Sequence, residues 1–171
     1  MRWIYERDSG NNNRYALGQI FEENGRTLIC FGINPSTASP EQLDKTINKV
    51  IKIARFNGYS NWIMLNIYPQ RATNPDDLHM TANEQIVKQN IETISQILDT
   101  YQDCDILFAY GNLISKRSFL RPCLEQISKL LKLKNKTIKV IKLTKEGNPV
   151  HPLYQKNYAE LKDLKYMKEY V

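Results

Sequence analysis

Short apolar runs alternate with longer amphipathic stretches along most of this chain. Four of the runs have the length and composition of strands: residues 27–33, 61–67, 105–110 and 137–143. The first three are almost continuously apolar, whereas the fourth partly alternates and indicates an edge strand. Residues 3–5 and 15–21 also have strand character, and the polar turn at 11–13 between them predicts an N-terminal hairpin.

The stretches that separate the apolar runs predict helices. Ser39 and Pro40 form a capping sequence that predicts the start of a first helix, which ends at Gly58. Thr81 repeats the capping pattern and predicts a second helix that runs to Tyr101. Both stretches repeat their apolar residues at the spacing of one helix face.

Two more helices are predicted in the second half of the chain. Residues 113–133 form a helical region that Pro122 should divide near Leu120, because proline lacks the amide hydrogen that a helix interior needs. A last helix over residues 154–169 closes the chain.

This order of elements predicts the fold class. Strands separated by helices of this length form parallel βαβ units, whose right-handed crossovers place helices on both faces of the sheet. The 171 residues, 42% of them hydrophobic, suffice for one core. We expect a single α/β domain over residues 1–171, a three-layer α/β/α sandwich. Its central four-stranded parallel sheet has the order 2-1-3-4, because the loops after strands one and three must diverge to open a crevice, and the hairpin is added to it.

Small and polar residues follow each of the four predicted strands. Because the carboxyl ends of parallel strands meet at one edge of a sheet, we expect these residues to converge on a site. Each also has a purely structural alternative, since asparagine and glycine serve in turns and a single histidine is often structural. The candidates are Gly32, Asn34, Pro35 and Ser36 after the first strand, Asn66 in the second, Gly111 and Asn112 after the third, and His151 beyond the fourth.

The positive charge of the chain is concentrated in its last quarter. The formal net charge is +6, and residues 129–171 contain eleven lysines against four acidic residues. Clustered lysines attract polyanions such as nucleic acids, but lysine-rich helix faces are also commonly plain solvated surface. Both interpretations stay open.

Composition argues against membrane, metal and cofactor chemistry. No stretch approaches the roughly 18 apolar residues of a membrane span, and the first residues lack the apolar core of a signal peptide, so we expect a cytoplasmic protein. The three cysteines are scattered, which argues against a disulfide framework or a metal site. We therefore expect no metal and no cofactor.

Two family resemblances rest on separated short motifs. The segments Gly-Ile-Asn-Pro at 32–35, Leu-Asn at 65–66, Tyr-Gly at 110–111 and His-Pro at 151–152 resemble the uracil-DNA glycosylase superfamily, especially its mismatch-specific branch. A narrower resemblance, to the bacterial and phage family called domain of unknown function 1643, covers most of residues 1–155. It is carried by residues 34–38, Asp44 with Thr46 and Ile47, Asn74 and Pro75 with Leu78, and residues 151–154.

The glycosylase resemblance implies a mechanism and a glycosylase-like fold. A flipped nucleobase would enter the crevice between the first and third strands. Asn34 would position the attacking water, Asn66 would read the base edge, and His151 would stabilise the negative charge on the departing base.

Other candidate residues have less direct roles under this resemblance. Pro35 and Ser36 would shape the pocket floor, Tyr68 would supply an aromatic face, and Arg71 would hold phosphate. Asp44 either interacts with the amino terminus of the first helix or reaches the crevice.

The chain also departs from the glycosylase pattern. Asn34 stands where the most active branch has an aspartate, and an amide cannot act as a general base. Leu153 and Tyr154 follow His151-Pro152 in place of the family's Pro-Ser-type continuation, so the apolar wedge that fills the vacated base stack is not clearly present, and Leu153 is the candidate substitute. No cysteine cluster is present for an iron–sulfur centre.

Three classes of function therefore remain open. The first is an N-glycosylase that acts on DNA or a nucleotide, in DNA repair or modification. The second is a non-catalytic nucleic-acid or nucleotide-binding protein on the same fold, and the third is an enzyme that acts on another small molecule.

Overall fold

The computed structural model describes residues 1–164, which contribute seven strands to one mixed sheet. The strands are β1 (Arg2–Arg7), β2 (Arg14–Ile20), β3 (Thr27–Gly32), β4 (Asn61–Asn66), β5 (Cys104–Phe108), β6 (Ile138–Val140) and β7 (Lys162–Asp163). The α-helices are α1 (Lys45–Phe56), α2 (Glu84–Thr100) and α3 (Leu120–Leu133). Short 3₁₀ turns occupy Pro75–Asp77, Gly111–Ser115 and Pro152–Tyr154. None of these helices is long and apolar enough to cross a membrane.

The sheet has the order β1-β2-β4-β3-β5-β6-β7. Its centre, β4-β3-β5-β6, is parallel and has the predicted order 2-1-3-4. The prediction of a four-stranded sheet is nevertheless wrong, because β2 continues the sheet beside β4 and β7 continues it beside β6, both antiparallel. Gly18 permits the first of these contacts, since a Cβ there would lie 2.8 Å from the carbonyl oxygen of Trp62.

Helices cover both faces of the sheet. Alternate residues of a strand point to opposite faces, and in β3 Leu28 packs with the apolar residues of α1, whereas Ile29 packs with those of α2 and α3. Val50 of α1 belongs to the first cluster, and Ile94 of α2 and Ile127 of α3 belong to the second. This arrangement leaves the strand ends free to carry loops.

Two helices begin later than the capping patterns predict. The side chain of Asp44 caps α1 by accepting the amide hydrogen of Ile47 at 2.8 Å, while Ser39 lies in a turn before the helix. Asn83, rather than Thr81, caps α2. In both cases a second good capping residue lies only a few positions downstream, and tertiary packing selects it.

The carboxyl-terminal third agrees only in part with prediction. The division near Leu120 is confirmed, because a 3₁₀ turn precedes α3 and Pro122 lies in the first helical turn, where proline is tolerated. The last helix predicted over 154–169 is wrong for the described residues, since the chain forms β7 instead, and residues 165–169 lie outside them. An ion pair between Lys139 and Asp163, 2.6 Å, joins β7 to β6. Strand β6 spans only Ile138–Val140 and is shorter than predicted. It is not an edge strand, because β7 pairs with it.

Candidate functional site

A small cleft opens where β3 and β4 end. Its volume is about 140 Å³, close to the roughly 150 Å³ of an engineered protein cavity that binds benzene. Seven predicted site residues line it: Gly32, Asn34, Pro35, Ser36, Asp44, Asn66 and His151. A larger groove, about 650 Å³, lies between α2 and α3, but its lining is mainly apolar. Another groove, about 540 Å³ between β1 and α2, is polar, but none of the predicted site residues lines it; seven of them converge on the smaller cleft.

Asn34 lines the cleft and also holds two loops together. Its Nδ2 donates to the carbonyl oxygens of Ala72 at 2.8 Å and Pro35 at 3.0 Å, with a longer contact to Gln70 at 3.4 Å. These bonds fasten the loop after β4 to the loop after β3. They also leave Oδ1 as the atom of this amide that is available to a ligand or a water.

His151 immediately precedes the 3₁₀ turn Pro152–Tyr154. Its Nδ1 accepts the amide hydrogen of Leu153 at 3.3 Å, which assigns the ring proton to Nε2. Burial lowers the pKa of His151, and the nearby carboxylate of Asp44 opposes that shift. The imidazole is therefore neutral at neutral pH and presents one N–H donor.

Asp44 satisfies both interpretations that the sequence left open. One carboxylate oxygen, Oδ1, caps α1, and the residue also lines the cleft. It is the only acidic residue among those that line the cleft. The negative charge of this carboxylate also acts on the imidazole of His151.

Arg14 is a site residue that the sequence reasoning missed. It begins β2, is 2% exposed and lines the cleft. Its terminal nitrogens donate to the carbonyl oxygen of Ala38 at 3.2 Å and to Oδ1 of Asn66 at 3.4 Å. Burial, followed by the positive charge of Arg71, lowers the pKa of Arg14 to about 10, so the guanidinium stays charged at neutral pH. The signal in the sequence is an arginine at the first position of a strand-like, mostly apolar run, residues 14–20.

Asn66 completes the cleft floor at the end of β4. It is 1% exposed, its Oδ1 accepts from Arg14, and its buried Nδ2 has no hydrogen-bond partner among residues 1–164. Gly32 makes room for this amide, because a Cβ at position 32 would lie 3.1 Å from Nδ2. The side chain of Asn90 in α2 holds the backbone carbonyl of Asn66 at 2.9 Å, which fixes the strand end.

Two predicted residues support the cleft without lining it. Gly111 has a φ of +63°, which favours glycine, and its amide donates to the carbonyl of Pro149 at 2.8 Å. Asn112 accepts hydrogen bonds from Thr144 at 2.8 Å and Asn148 at 2.9 Å. Together they hold the loop that leads to His151.

Two other predicted residues also lie outside the cleft. The ring of Tyr68 is buried against Phe119, and its hydroxyl bonds Nδ1 of His79 at 2.7 Å, so its aromatic face is used in the core. Arg71 donates to the carbonyl of Ser36 and to the hydroxyl of Tyr5 at 2.8 Å. These contacts hold the loop after β3, whereas the glycosylase resemblance implies that Arg71 holds phosphate.

The match to a known protein family spans all the residues that line the cleft. The family described as "Protein of unknown function (DUF1643)" matches residues 14–153. The chain belongs to the DUF1643 family. The matched range includes every cleft residue from Arg14 to His151. No curated protein and no solved structure matched the chain.

Several lysines of the DUF1643 protein's basic carboxyl-terminal region lie away from the cleft. Lys134 pairs with Asp99, and Lys136 donates to the carbonyl of Gln102 at 2.7 Å. Both lysines precede β6, at the edge where the parallel strands begin. They therefore lie at the opposite end of the sheet from the cleft.

The described part of the DUF1643 protein contains no group of three or more histidine, cysteine or acidic residues arranged to hold a metal ion. Cys30, Cys104 and Cys123 are free thiols. Burial raises the pKa of Cys123 to about 11, so its reactive thiolate form is scarce at neutral pH.

Proposed function

We propose that the cleft recognises a nucleobase and that the protein is an N-glycosylase acting on DNA or a nucleotide. The observation that carries the proposal is the convergence of Asn34, Asn66 and His151 on one cleft the size of a single six-membered ring. The resemblance to the uracil-DNA glycosylase superfamily supports it, because the Gly-Ile-Asn-Pro and His-Pro segments meet at this cleft.

The cleft floor favours a base edge that carries a carbonyl oxygen. The Asn66 oxygen already accepts from Arg14, whereas Nδ2 has no partner among the described residues, so the unsatisfied group of this amide is a donor. A donor matches the carbonyl oxygen of uracil, whereas the exocyclic amino group of cytosine would place two donors together. We therefore propose uracil, rather than cytosine, as the class of base that binds.

The opposite wall supplies groups for hydrolysis. Oδ1 of Asn34 and Oδ2 of Asp44 would hold a water, whose oxygen attacks the anomeric carbon while its proton passes to Asp44. The bond from the sugar to the base nitrogen breaks, and its electron pair leaves with the base. Nε2–H of His151 would donate to this developing anion. Asp44 thus supplies the basic oxygen that Asn34 lacks.

The exposed surface beside the cleft offers an aromatic contact for nucleic acid. Tyr154, three residues after His151, is 85% exposed, whereas Leu153 is only partly exposed. An exposed ring can stack on an unpaired base. Tyr154 is therefore a better placed contact than Leu153, the residue that the sequence suggested as a wedge.

The test is strand scission at abasic sites after incubation with DNA that contains uracil, hypoxanthine or mismatched thymine. We expect cleavage of uracil-containing DNA, slowed roughly 100- to 1000-fold in His151→Ala, as for loss of one donor to a developing oxyanion. Lys136→Ala, at the opposite edge of the sheet, is the control and should cleave normally. Release of uracil from the free nucleotide dUMP, measured in parallel, identifies the substrate form.

The remaining outcomes separate the other function classes. Uracil binding without cleavage by well-folded protein, at high enzyme concentration and long times, would support the non-catalytic binder. Absence of both binding and cleavage would contradict the nucleobase proposal and favour another small molecule.

A further inference from the structure

The guanidinium of Arg14 is a buried charge with no carboxylate of residues 1–164 within ion-pair distance. It is 2% exposed, and none of the ion pairs formed by residues 1–164 includes it. Its hydrogen bonds go to a backbone carbonyl and a side-chain amide, both of them neutral groups. Buried charges in proteins are normally paired, because removal from water is costly.

A second cation makes this position still less favourable. Nη1 of Arg71 lies 3.3 Å from the carbonyl oxygen of Ala38, and Nη1 of Arg14 lies 3.2 Å from the same oxygen. The neutral carbonyl oxygen of Ala38 therefore accepts hydrogen bonds from two guanidinium groups. Asp44 is the only carboxylate among the cleft-lining residues, and it lies beyond ion-pair distance of both arginines. Its longer-range attraction raises the pKa of Arg14, but burial and the charge of Arg71 outweigh it.

The unpaired donors of this region are grouped beside the cleft floor. Nε of Arg14 and Nδ2 of Asn66 are both buried and have no hydrogen-bond partner among the described residues. Both side chains line the cleft, and Arg14 donates to the Asn66 oxygen, so the pair presents only donors and one positive charge. The chemical complement of such a floor is an acceptor edge with negative charge.

We propose that Arg14 makes the cleft selective for a ring whose edge toward Asn66 carries negative charge, as a departing nucleobase does. This inference rests on the proposed function and names the charge state that the site prefers. Arg14 thereby complements the charge that develops on the base, while Asn66 reads its carbonyl group.

The test compares two rings of nearly the same size by isothermal titration calorimetry at neutral pH and fixed ionic strength. Uracil is neutral under these conditions, whereas barbiturate is an anion with a similar carbonyl pattern. We expect barbiturate to bind roughly tenfold more tightly, the difference between a neutral and a charge-assisted hydrogen bond. Nitrate, a planar anion without a ring, is titrated as a third ligand.

Two variants locate the source of the preference. Arg14→Gln removes the charge but keeps an amide donor, and should bind the two rings with about equal affinity. Arg26→Gln is the control, because Arg26 lies at the opposite end of the sheet, just before β3, where its guanidinium pairs with Asp105. This control should keep the preference for barbiturate. The wild-type comparison stands by itself if Arg14→Gln does not fold.

Each outcome decides a separate claim. Equal affinity of the wild-type protein for the two rings, or an unchanged preference in Arg14→Gln, would overturn the inference while uracil binding still upheld nucleobase recognition. Nitrate binding that Arg14→Gln abolishes, with neither ring bound, would support the anion preference and contradict the nucleobase function. Failure of all three ligands to bind would overturn both.

Discussion

Strand β4 has a buried asparagine at each end, and the two differ in how completely their side-chain amides are hydrogen-bonded. Asn61 begins the strand, Asn66 ends it, and each is 1% exposed. The Asn61 Oδ1 accepts the amide hydrogens of Phe21 at 2.8 Å and Glu22 at 3.1 Å, and its Nδ2 donates to the carbonyls of Glu22 at 2.8 Å and Gly25 at 3.0 Å. Nδ2 of Asn66 has no partner among the described residues.

The two amides therefore differ in how far their hydrogen bonds are satisfied within the fold. Buried polar groups in folded proteins are nearly all hydrogen-bonded, so an unsatisfied one requires an explanation. At the Asn61 end the amide closes the connection between β2 and β3. At the Asn66 end the unsatisfied donor belongs to a residue that lines the cleft, and the proposed binding of a nucleobase would satisfy it.

The largest expected effect is the loss of stability in Asn61→Ala. This change leaves four partly buried backbone groups, of Phe21, Glu22 and Gly25, without this partner, and we expect the free energy of unfolding to fall by about 3 kcal/mol. Urea unfolding followed by circular dichroism measures it. The folded fraction should bind uracil as the wild-type protein does, and a loss below about 1 kcal/mol would show that water replaces the lost hydrogen bonds.

Asn34→Ala should have an intermediate effect, because Asn34 combines both roles. Its Nδ2 holds carbonyl oxygens of two loops, so we expect a loss of about 2 kcal/mol in unfolding free energy together with slower base release. Ser36→Ala is the control, since its hydroxyl contacts only the exposed Thr73 hydroxyl and should cost less than about 0.5 kcal/mol. Unchanged stability of Asn34→Ala would contradict the loop-holding role.

Arg14→Met should shift stability in the opposite direction. It replaces a buried, unpaired charge by an apolar chain of similar length, and we expect the unfolding free energy to rise by about 1 kcal/mol. The variant should at the same time lose affinity for barbiturate. Chemical denaturation tests the first expectation, and a clear loss of stability would show that the bonds to Ala38 and Asn66 outweigh the cost of burial.

The smallest expected effect is a pH dependence of stability from His151. Its pKa is lowered in the folded protein, so below the ordinary histidine value of about 6.5 the unfolded chain binds more protons than the folded one. The stability contributed by neutral His151 is therefore full above that pH and is lost as the pH falls through the folded pKa. Urea unfolding at neutral and mildly acidic pH should show a smaller difference in His151→Gln, and an equal difference would contradict the assignment.

The sequence predicts the parallel centre of the sheet well, because that part depends on local pattern. The strands β3, β4 and β5 are continuous apolar runs, and burial on both faces requires such runs. Strand β7 escapes prediction because Lys162 and Asp163 have no apolar pattern and pair only through a long-range contact. The extension of the sheet by β2 likewise depends on a close approach at Gly18 rather than on periodicity.

The cleft lining is predictable where a polar residue ends or closely follows a strand, as for Asn66 and Asn34. His151 also lines the cleft, although it lies in a loop well beyond the end of β6. Tyr68 also follows a strand, yet two further elements enclose its ring, which strand position alone does not reveal. Arg14 was missed because it enters from the antiparallel hairpin, whose place beside β4 is set by tertiary packing. Its charge at the head of a buried strand is a usable signal only once the neighbouring strand is known.

The central claim is that the Asn66 end of β4 recognises a nucleobase while the Asn61 end is structural. Nuclear magnetic resonance of the side-chain amide groups during a uracil titration tests it most directly, because each asparagine Nδ2 gives its own signals. We predict that the Asn66 signals shift with uracil concentration and that those of Asn61 do not. Uracil binding that leaves the Asn66 signals unchanged, or that moves both pairs equally, would contradict the account.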